Sequence, residues 1–212
     1  MDVPSHPDGR SGRAGGMDAK ERELILASAS PRRAELLRML GLTFRVVPSG
    51  FEERHEGRTG DPARLVKALA LGKAEEVAAE VGRGLVLGAD TVVILAGGIL
   101  EKPADPAGAR AMLQRLSGRW HEVYTGVALL EAERKEFRVG HERTRVKFRR
   151  LDPEEIEAYI RTGEPLDKAG AYGIQGLGAI LVERIEGCYT NVVGLPLTRV
   201  ALMLREFGWR IL

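Results

Sequence analysis

The sequence predicts an α/β protein with a mixed sheet, flanking helices and a cleft lined by loops. Two observations predict this class. Short apolar runs rich in Val, Ile and Leu alternate along the chain with stretches of helical periodicity, which is the order of elements in α/β folds. Clusters of polar residues stand at the ends of several elements, where the loops of a sheet converge on a cleft. The 212 residues are 44% hydrophobic, which suits one large domain with its own core.

The composition limits the cellular compartment and the kinds of binding partner that we expect for this protein. The formal net charge is +2 and the chain contains one cysteine, Cys188. The small charge points to no particular partner, and a single thiol excludes an internal disulfide and suits a reducing cytoplasm. No run of about 18 apolar residues occurs, so the sequence predicts no membrane partner. Residues 1–20 lack an apolar segment and are predicted to form a disordered leader before a single domain at 21–212.

The first strand and helix form a candidate anion site. The apolar run at 24–27 predicts a strand, and Ser30 with Pro31 suits the N-cap and first turn of a helix that ends at Gly41. A helix N-terminus attracts an anion, and guanidinium groups bind phosphate oxygens in pairs. A well-capped surface helix with solvated arginines explains the same residues, so this segment alone leaves both interpretations open. The candidate ligands are Ser28, Ser30, Arg32 and Arg33.

Acidic residues and one lysine follow in the next elements. A second strand is predicted at 43–47, and the loop after it carries Glu52 and Glu53, which would usually be solvated in such a loop. A long helix begins at Asp61 and carries Lys73 between apolar positions. Most lysines on helices extend their ammonium group into solvent, so Lys73 indicates a functional site only if other polar groups lie near it in space.

The central strand is predicted at 85–93 and contains a carboxylate. Asp90 lies within an apolar run, in the sequence GADTVV at 88–93. Burying an isolated carboxylate is costly, so Asp90 should be paired, hydrogen-bonded or bound to a metal. The alternative is an Asp at a strand end that caps a turn, which is common for an isolated G-x-D.

The remaining elements complete the alternation. A hairpin is predicted at 94–100 with Gly97 and Gly98 in its turn, because glycine adopts the positive φ that tight turns need. His121 and His141 are predicted to be exposed. The other predictions are strands at 122–131, 136–150 and 180–184, helices starting at Asp105, Asp152 and Pro196, and a loop at 187–196.

A glycine-rich segment at 163–178 interrupts this pattern. Its sequence, GEPLDKAGAYGIQGLG, shows no clear periodicity. Long irregular segments inside a compact domain are usually functional or disordered, and the mixture of charged, aromatic and amide side chains argues against disorder. The residues that suggest a functional loop are Asp167, Lys168, Tyr172 and Gln175.

Eight separated motifs stand out along the chain. They are ASASPRR at 27–33, GFEE at 50–53, the helix with Lys73, GADTVV at 88–93, EKP at 101–103, LSG at 116–118, DKAGAYGIQG at 167–176 and VVGLP at 192–196. In this order and at this spacing they resemble the Maf family of nucleoside triphosphate pyrophosphatases. The resemblance covers the chain from Leu24 to the C-terminus, and the combination is far more specific than any one motif.

The resemblance implies a fold, an activity and a set of site residues. It implies an elongated mixed sheet, two lobes around a central nucleotide-binding cleft, and a chain that can form a homodimer. It also implies hydrolysis of dTTP and UTP, and by extension modified pyrimidine nucleotides, to the monophosphate and pyrophosphate. Arg32, Thr91 and Gln175 match the positions that mark the subfamily acting on dTTP and UTP. The matching catalytic positions are Asp90, Glu53, Lys73 and Lys102, and the substrate-binding positions are Ser28, Ser30, Arg32, Arg33, Thr91, Asp167, Lys168 and Gln175.

These residues suit the reaction that the resemblance implies. Cleavage between the α and β phosphorus atoms needs neutralised triphosphate charge, a positioned water and a stabilised pyrophosphate leaving group. The residues that can supply positive charge for the first and third of these needs are Arg32, Arg33, Lys73 and Lys102. Glu53 and Asp90 are oxygen donors of the kind that Mg²⁺ or Mn²⁺ accepts, and Asp90 can also take a proton from the water. The choice between these two roles for Asp90 stays open, because a carboxylate engaged by a metal is a poor base.

Two other classes of function compete with catalysis. A nucleotide-binding regulator of cell division or septum formation could use the same cleft without significant turnover, but the chain retains the acidic and basic residues that catalysis needs. A nucleic-acid partner could contact the arginine-rich strand at 138–150, but its alternation with Val146 and Phe148 also fits an exposed sheet face, and no stacking motif accompanies it. The sequence therefore favours a hydrolase without a nucleic-acid partner.

Overall fold

The computed structural model describes residues 22–51 and 60–212. The predicted leader at 1–20 and the acidic pair Glu52 and Glu53 lie outside the described residues. No helix in the described ranges is both long and apolar enough to cross a membrane. The elements in chain order are β1 (Leu24–Ala27), α1 (Pro31–Met39), β2 (Arg45–Val46), α2 (Pro62–Val81), β3 (Leu85–Leu95), β4 (Gly98–Leu100), α3 (Pro106–Leu116), β5 (Trp120–Glu131), β6 (Glu136–Phe148), α4 (Pro153–Arg161), β7 (Val182–Glu186), α5 (Tyr189–Val193) and α6 (Leu197–Glu206).

The seven strands found in residues 22–51 and 60–212 belong to one mixed sheet. Its strand order is β2, β1, β3, β5, β6, β7, and the short β4 pairs with the far end of β3. β1 runs parallel to β2 and β3, whereas β4 through β7 join by antiparallel pairing. The long strands β3, β5 and β6 give the sheet its length. The prediction of an α/β fold with an elongated mixed sheet is therefore confirmed.

One edge of the central strand β3 has an open stretch. On this edge β1 pairs with β3 as far as Gly88, and β4 pairs with it from Val93 onward. Within the described chain, no strand covers residues 89–92 on this side, while β5 covers the other side throughout. The gap places Asp90 and Thr91 where loops and helix termini, rather than a neighbouring strand, can reach them.

Helix α2 lies directly on the backbone of β3 and β5. A Cβ atom at Gly88 would stand 2.1 Å from the carbonyl oxygen of Ala70, and one at Gly126 would stand 2.0 Å from that of Val66. Both distances are too short for any side chain, so the two glycines allow this approach. The approach carries Lys73, which follows Ala70 by one turn, down onto the sheet.

The two faces of the sheet bury separate cores. Successive strand residues point to opposite faces, so Leu87 of β3 belongs to the larger core and Val86 to a smaller core beneath α2. Helices α1, α3, α4 and α6 supply the larger core with residues such as Leu37 and Leu113. Fully burying a Leu or Val side chain stabilises the fold by roughly 1.5–3 kcal/mol relative to leaving it exposed. The two cores therefore hold the sheet in place behind the open edge of β3.

Two local predictions were wrong. The hairpin turn lies at Ala96 and Gly97, with φ of 51° and 81°, and Gly98 already belongs to β4. The favoured two-residue turn needs positive φ at both central positions, and Ala accepts that conformation here although glycine is usual. The predicted loop at 187–196 contains α5, a helix of five residues that is too short to show an apolar period.

His121 is also a correction, because it is 2% exposed. The prediction of exposure rested on a strand beginning at Glu122, but β5 begins at Trp120. His121 therefore lies inside the strand, and alternation turns its side chain toward the larger core. His141 is half-buried in β6.

Candidate functional site

A cavity of about 570 Å³ opens at the uncovered edge of β3. Its walls come from the β1 to α1 turn, α2, β3, the end of β4, the glycine-rich segment and the loop after α5. Every predicted site residue that the structure describes lines this cavity, whereas Glu53 lies outside the described residues. These residues are Ser28, Ser30, Arg32, Arg33, Lys73, Asp90, Thr91, Lys102, Asp167, Lys168 and Gln175.

Asp90 and Lys73 form an ion pair at the base of the cavity. Lys73 Nζ donates to Asp90 Oδ1 over 2.7 Å, and the two residues are 7% and 3% exposed. Within the described chain, the second carboxylate oxygen, Oδ2, is buried without a hydrogen-bond partner. Because an unsatisfied carboxylate oxygen is costly in a dry site, this atom is suited to a cation or to a water molecule held for reaction.

Asp90 and Thr91 approach the cavity from opposite faces of the sheet. Neighbouring residues of a strand point in opposite directions, and the pairing partners opposite them are Gly126 and Thr125 of β5. Both residues nevertheless line the same cavity. The cavity therefore extends around the uncovered edge of β3, with an acidic group on one side and a hydroxyl on the other.

Arg33 ties three parts of the cavity wall together. Its Nε donates to the carbonyl oxygen of Gly194 at 2.9 Å, and its Nη1 donates to that of Ala89 at 2.9 Å. It also donates to the hydroxyl groups of Ser28 at 3.1 Å and Thr91 at 3.2 Å. The guanidinium group of Arg33 thus forms hydrogen bonds with the uncovered edge of β3. Substrate binding by Arg33 stays a prediction.

The N-terminus of α1 faces the cavity. Ser30 occupies the N-cap position, but its side chain makes no capping hydrogen bond within the described residues. Its own N–H donates to Ser28 Oγ at 3.2 Å. The positive end of the helix dipole lies here beside Arg32, and such an end favours an anion.

A buried chain of hydroxyl groups continues from Arg33 behind the cavity. Thr91 Oγ1 lies 2.9 Å from Thr125 Oγ1, and Thr125 donates to the carbonyl oxygen of Asn191 at 3.1 Å. Because a carbonyl only accepts, the hydroxyl proton of Thr125 is used there, and Thr91 must donate to Thr125. Sequence reasoning missed Thr125 and Asn191, since a threonine in a strand and an asparagine in a short loop carry no signal of their own.

The glycine-rich segment at 163–178 forms the opposite wall of the cavity. Two of its residues, Asp167 and Lys168, form a charged cluster with Arg32 of α1. Lys168 Nζ donates to Asp167 Oδ1 at 2.6 Å, and Arg32 Nη1 lies 3.7 Å from Asp167 Oδ2. Burial acts to raise the pKa of Asp167, but the hydrogen bond from Lys168 and the charges of Lys168 and Arg32 hold this pKa below its ordinary value. The carboxylate of Asp167 therefore lies between the side chains of Arg32 and Lys168 at the cavity mouth.

Tyr172 and His121 lie deeper in the same wall, and sequence reasoning assigned no role to the histidine. Tyr172 lines the cavity, and its hydroxyl lies 2.8 Å from His121 Nε2. Burial lowers the pKa of His121 to about 4, because desolvation penalises the charged imidazolium. The pair is therefore a neutral hydrogen bond between a core residue and the cavity wall.

The arginine-rich strand β6 is largely neutralised by carboxylates. Arg143 pairs with Glu122, and Arg145 pairs with Glu186. Arg138 pairs with both Glu136 and Glu206. These contacts support the interpretation of β6 as an exposed sheet face rather than a surface for nucleic acid, which would need unpaired positive charge.

One carboxylate oxygen among the described residues could take a metal ion. In the ranges 22–51 and 60–212, no cluster of three or more His, Cys, Asp or Glu side chains is placed to hold a metal. Asp90 Oδ2 fits a hard cation, because it is a buried carboxylate oxygen without another partner among these residues. The second predicted ligand, Glu53, lies outside the described residues.

The fold and the cavity define a class of protein. A mixed α/β sheet whose central strand opens onto a cavity with a basic mouth and a buried carboxylate is an α/β protein equipped to hold an anionic ligand. The chain belongs to the Maf family, since the family described as Maf-like protein matches residues 23–207. The predicted resemblance is thereby confirmed.

Curated relatives match nearly the whole chain. The dTTP/UTP pyrophosphatase of Moorella thermoacetica is 58% identical over 189 residues, covering 88% of this chain and 95% of that protein. The protein of the same name from Gloeobacter violaceus is 54% identical, covering 89% of this chain and 97% of its own length. A third, from Pelotomaculum thermopropionicum, is 52% identical and covers 90% of this chain and all of its own length.

Proposed function

We propose that this protein is a nucleoside triphosphate pyrophosphatase that hydrolyses dTTP and UTP to the monophosphate and pyrophosphate. The observation that carries the proposal is Asp90, a buried carboxylate with one oxygen bound by Lys73 and the other without a partner among the described residues. The names of relatives at 52–58% identity over nearly the whole chain support the substrate assignment.

The triphosphate binds between the N-terminus of α1 and the glycine-rich wall. Arg32 at the mouth and the positive end of the α1 helix dipole neutralise phosphate oxygens. Lys102, which follows β4, and Lys168 add positive charge from the other side. Arg33 keeps Ser28 and the β3 edge in place through its hydrogen bonds. Binding between two basic walls offsets the repulsion that the triphosphate would meet from Asp90.

Asp90 acts on the attacking water in this proposal. Its Oδ2 is placed to accept a proton from a water molecule, while Lys73 holds Oδ1 and fixes the orientation of the carboxylate. The alternative role for Oδ2 is to hold a divalent cation, Mg²⁺ or Mn²⁺, with Glu53 as the second ligand, and in that role Asp90 would not be the base. Such an ion, when bound, supplies positive charge that stabilises the phosphate oxygens in the transition state.

The first prediction concerns the bond that is cleaved. With UTP and Mg²⁺, the primary products should be UMP and pyrophosphate, because the proposal places the attack at the α phosphorus. A panel of nucleotides assayed separately for pyrophosphate and orthophosphate measures this. Primary release of UDP and orthophosphate would overturn the assignment, and tight binding of UTP without turnover would favour the regulatory alternative.

The second prediction concerns the base. Uracil and thymine present two carbonyl acceptors around an N3–H donor, whereas cytosine replaces one acceptor by an amino group. The amide of Gln175, exposed at the cavity rim, can pair with O4 and N3–H together. Once a bound base covers this amide, a hydrogen-bonding group left without a partner costs roughly ten- to a hundredfold in kcat/KM. UTP and dTTP should therefore be preferred to CTP, and Gln175→Ala should compress the UTP to CTP ratio.

The rate of UTP hydrolysis serves as the control for base recognition. Gln175→Ala should leave kcat for UTP within about threefold, because the amide touches neither Asp90 nor the phosphates. Gln175→Glu should also lose the preference, since a carboxylate accepts but does not donate. An unchanged UTP to CTP ratio, with equal loss toward every nucleotide, would assign Gln175 to bracing the loop.

The assembly and the compartment are inferred from the family resemblance. We infer a homodimer acting in the cytoplasm, and the one cysteine, Cys188, is a free thiol in the structure, as a reducing compartment favours. Sedimentation velocity at several concentrations measures the assembly.

A further inference from the structure

At one residue, Ala171, the cavity wall at 168–176 adopts a backbone conformation that a residue other than glycine does not favour. Gly170 and Ala171 have φ of 72° and 58°, and the left-handed region is unfavourable for a residue with a Cβ atom. Such backbone conformations persist only where surrounding contacts determine them. The same wall carries Lys168 and Gln175, so contacts that hold it decide where these side chains stand.

Two hydrogen bonds hold the ends of this bend. The N–H of Gly170 donates to the carbonyl oxygen of Glu101 at 3.1 Å, beside Lys102. The N–H of Gly173 donates to the hydroxyl of Tyr159 at 3.1 Å. Tyr172 lies between these two contacts, directly after the left-handed pair, and is 5% exposed.

Tyr172 is held from the core by two rings. His121 and Phe148 pack edge-on against it, with centroid separations of 5.3 Å and 4.7 Å, and His121 packs edge-on against Phe148 at 5.1 Å. The hydrogen bond between His121 Nε2 and the Tyr172 hydroxyl adds a directional contact to this packing. Among the described residues, His121 Nδ1 is buried without a partner. An apolar residue would fill this core position without leaving a polar atom unsatisfied. Burying the imidazole costs free energy of folding, and we therefore expect His121 to have a role that offsets this cost.

We propose that His121 is a positioning residue for the substrate cleft: its hydrogen bond to Tyr172 holds the wall at 168–176 against the core and so fixes Lys168 and Gln175 for nucleotide binding. The nucleotide part rests on the proposed function, whereas the structural part concerns the wall alone. His121 itself does not line the cavity and acts through Tyr172.

The test compares two substitutions of similar size. Gln places an amide nitrogen or oxygen near the position of imidazole Nε2 and keeps the hydrogen bond, whereas Met fills the space without it. In His121→Met, amides of residues 170–176 should exchange with deuterium at least about tenfold faster than in the wild type, because losing a buried hydrogen bond opens the segment locally. In His121→Gln the rates should stay within about threefold of the wild type, and peptides from β3 should be unchanged in both.

Steady-state kinetics give the functional readout. His121→Met should raise KM for UTP about tenfold with kcat changed by less than about threefold, because the wall contacts bound substrate and not the attacking water. His121→Gln should restore KM. A KM equal to that of the wild type in His121→Met, or a fall of kcat alone in proportion to the folded fraction, would overturn the inference.

Hydrogen exchange separates this inference from the proposed function, because it needs no nucleotide. A wild-type protein without UTP turnover would contradict the function, whereas unchanged exchange at 170–176 in His121→Met would contradict the inference. If His121→Met fails to fold, Tyr172→Phe removes the same hydrogen bond from the other partner. Unchanged exchange in Tyr172→Phe would then overturn the inference.

Discussion

Asp90→Asn is expected to lower kcat for UTP hydrolysis by at least about a hundredfold, the scale of losing a general base or a metal ligand. The amide keeps the shape of the side chain, so β3 and the cavity should be preserved. It neither accepts a proton from water at neutral pH nor carries the charge that a divalent cation prefers. Pyrophosphate release under saturating UTP measures the loss, and KM should change much less.

A matched substitution controls for the loss of one carboxylate. Asp105 caps α3 outside the cavity, accepting from the N–H of Gly108 at 2.7 Å, and asparagine is an equally good N-cap. Asp105→Asn should therefore keep wild-type kcat. Near-normal turnover in Asp90→Asn, with both variants melting at the wild-type temperature, would remove Asp90 from the mechanism.

Removal of divalent cations is expected to reduce turnover by at least about a hundredfold, because an unneutralised triphosphate repels the attacking water and the carboxylate beside it. Dialysis against EDTA followed by assay in metal-free buffer measures the effect. Addition of Mg²⁺ or Mn²⁺ in excess of the chelator should restore activity. Full turnover in chelator would show that Lys73, Lys102 and the arginines neutralise the substrate without a metal.

Much of the fold could be predicted because local signals and tertiary structure agree. Asp61, Asp105 and Asp152 each accept a hydrogen bond from a backbone N–H in the first turn of the predicted helix, as capping residues followed by proline should. The burial of Asp90 could also be predicted, because its apolar neighbours on β3 leave no exposed face. Its pairing with Lys73 could not, since it depends on how α2 packs across the sheet.

The contacts that hold the site were beyond sequence reasoning for a different reason. Arg33 looks like Arg32 in the sequence, and only the fold shows that Arg33 bonds Gly194 and Ala89 while Arg32 lies at the mouth. Thr125 and His121 are ordinary strand residues whose partners come from distant parts of the chain. The pairing of Thr125 with Thr91 depends on the sheet register, and the contacts to Asn191 and Tyr172 depend on how segments outside the sheet pack against it.

The close approach of α2 at Gly88 and Gly126 has a consequence for sequence variation in this protein. Neither glycine touches a ligand in the proposed function, yet each sets the spacing between the helix that carries Lys73 and the strand that carries Asp90. A library of substitutions at these two positions should be as intolerant as one at Asp90 itself, although the chemistry needs nothing from either. The distance between Lys73 and Asp90 therefore depends on two positions, Gly88 and Gly126, at which no side chain fits.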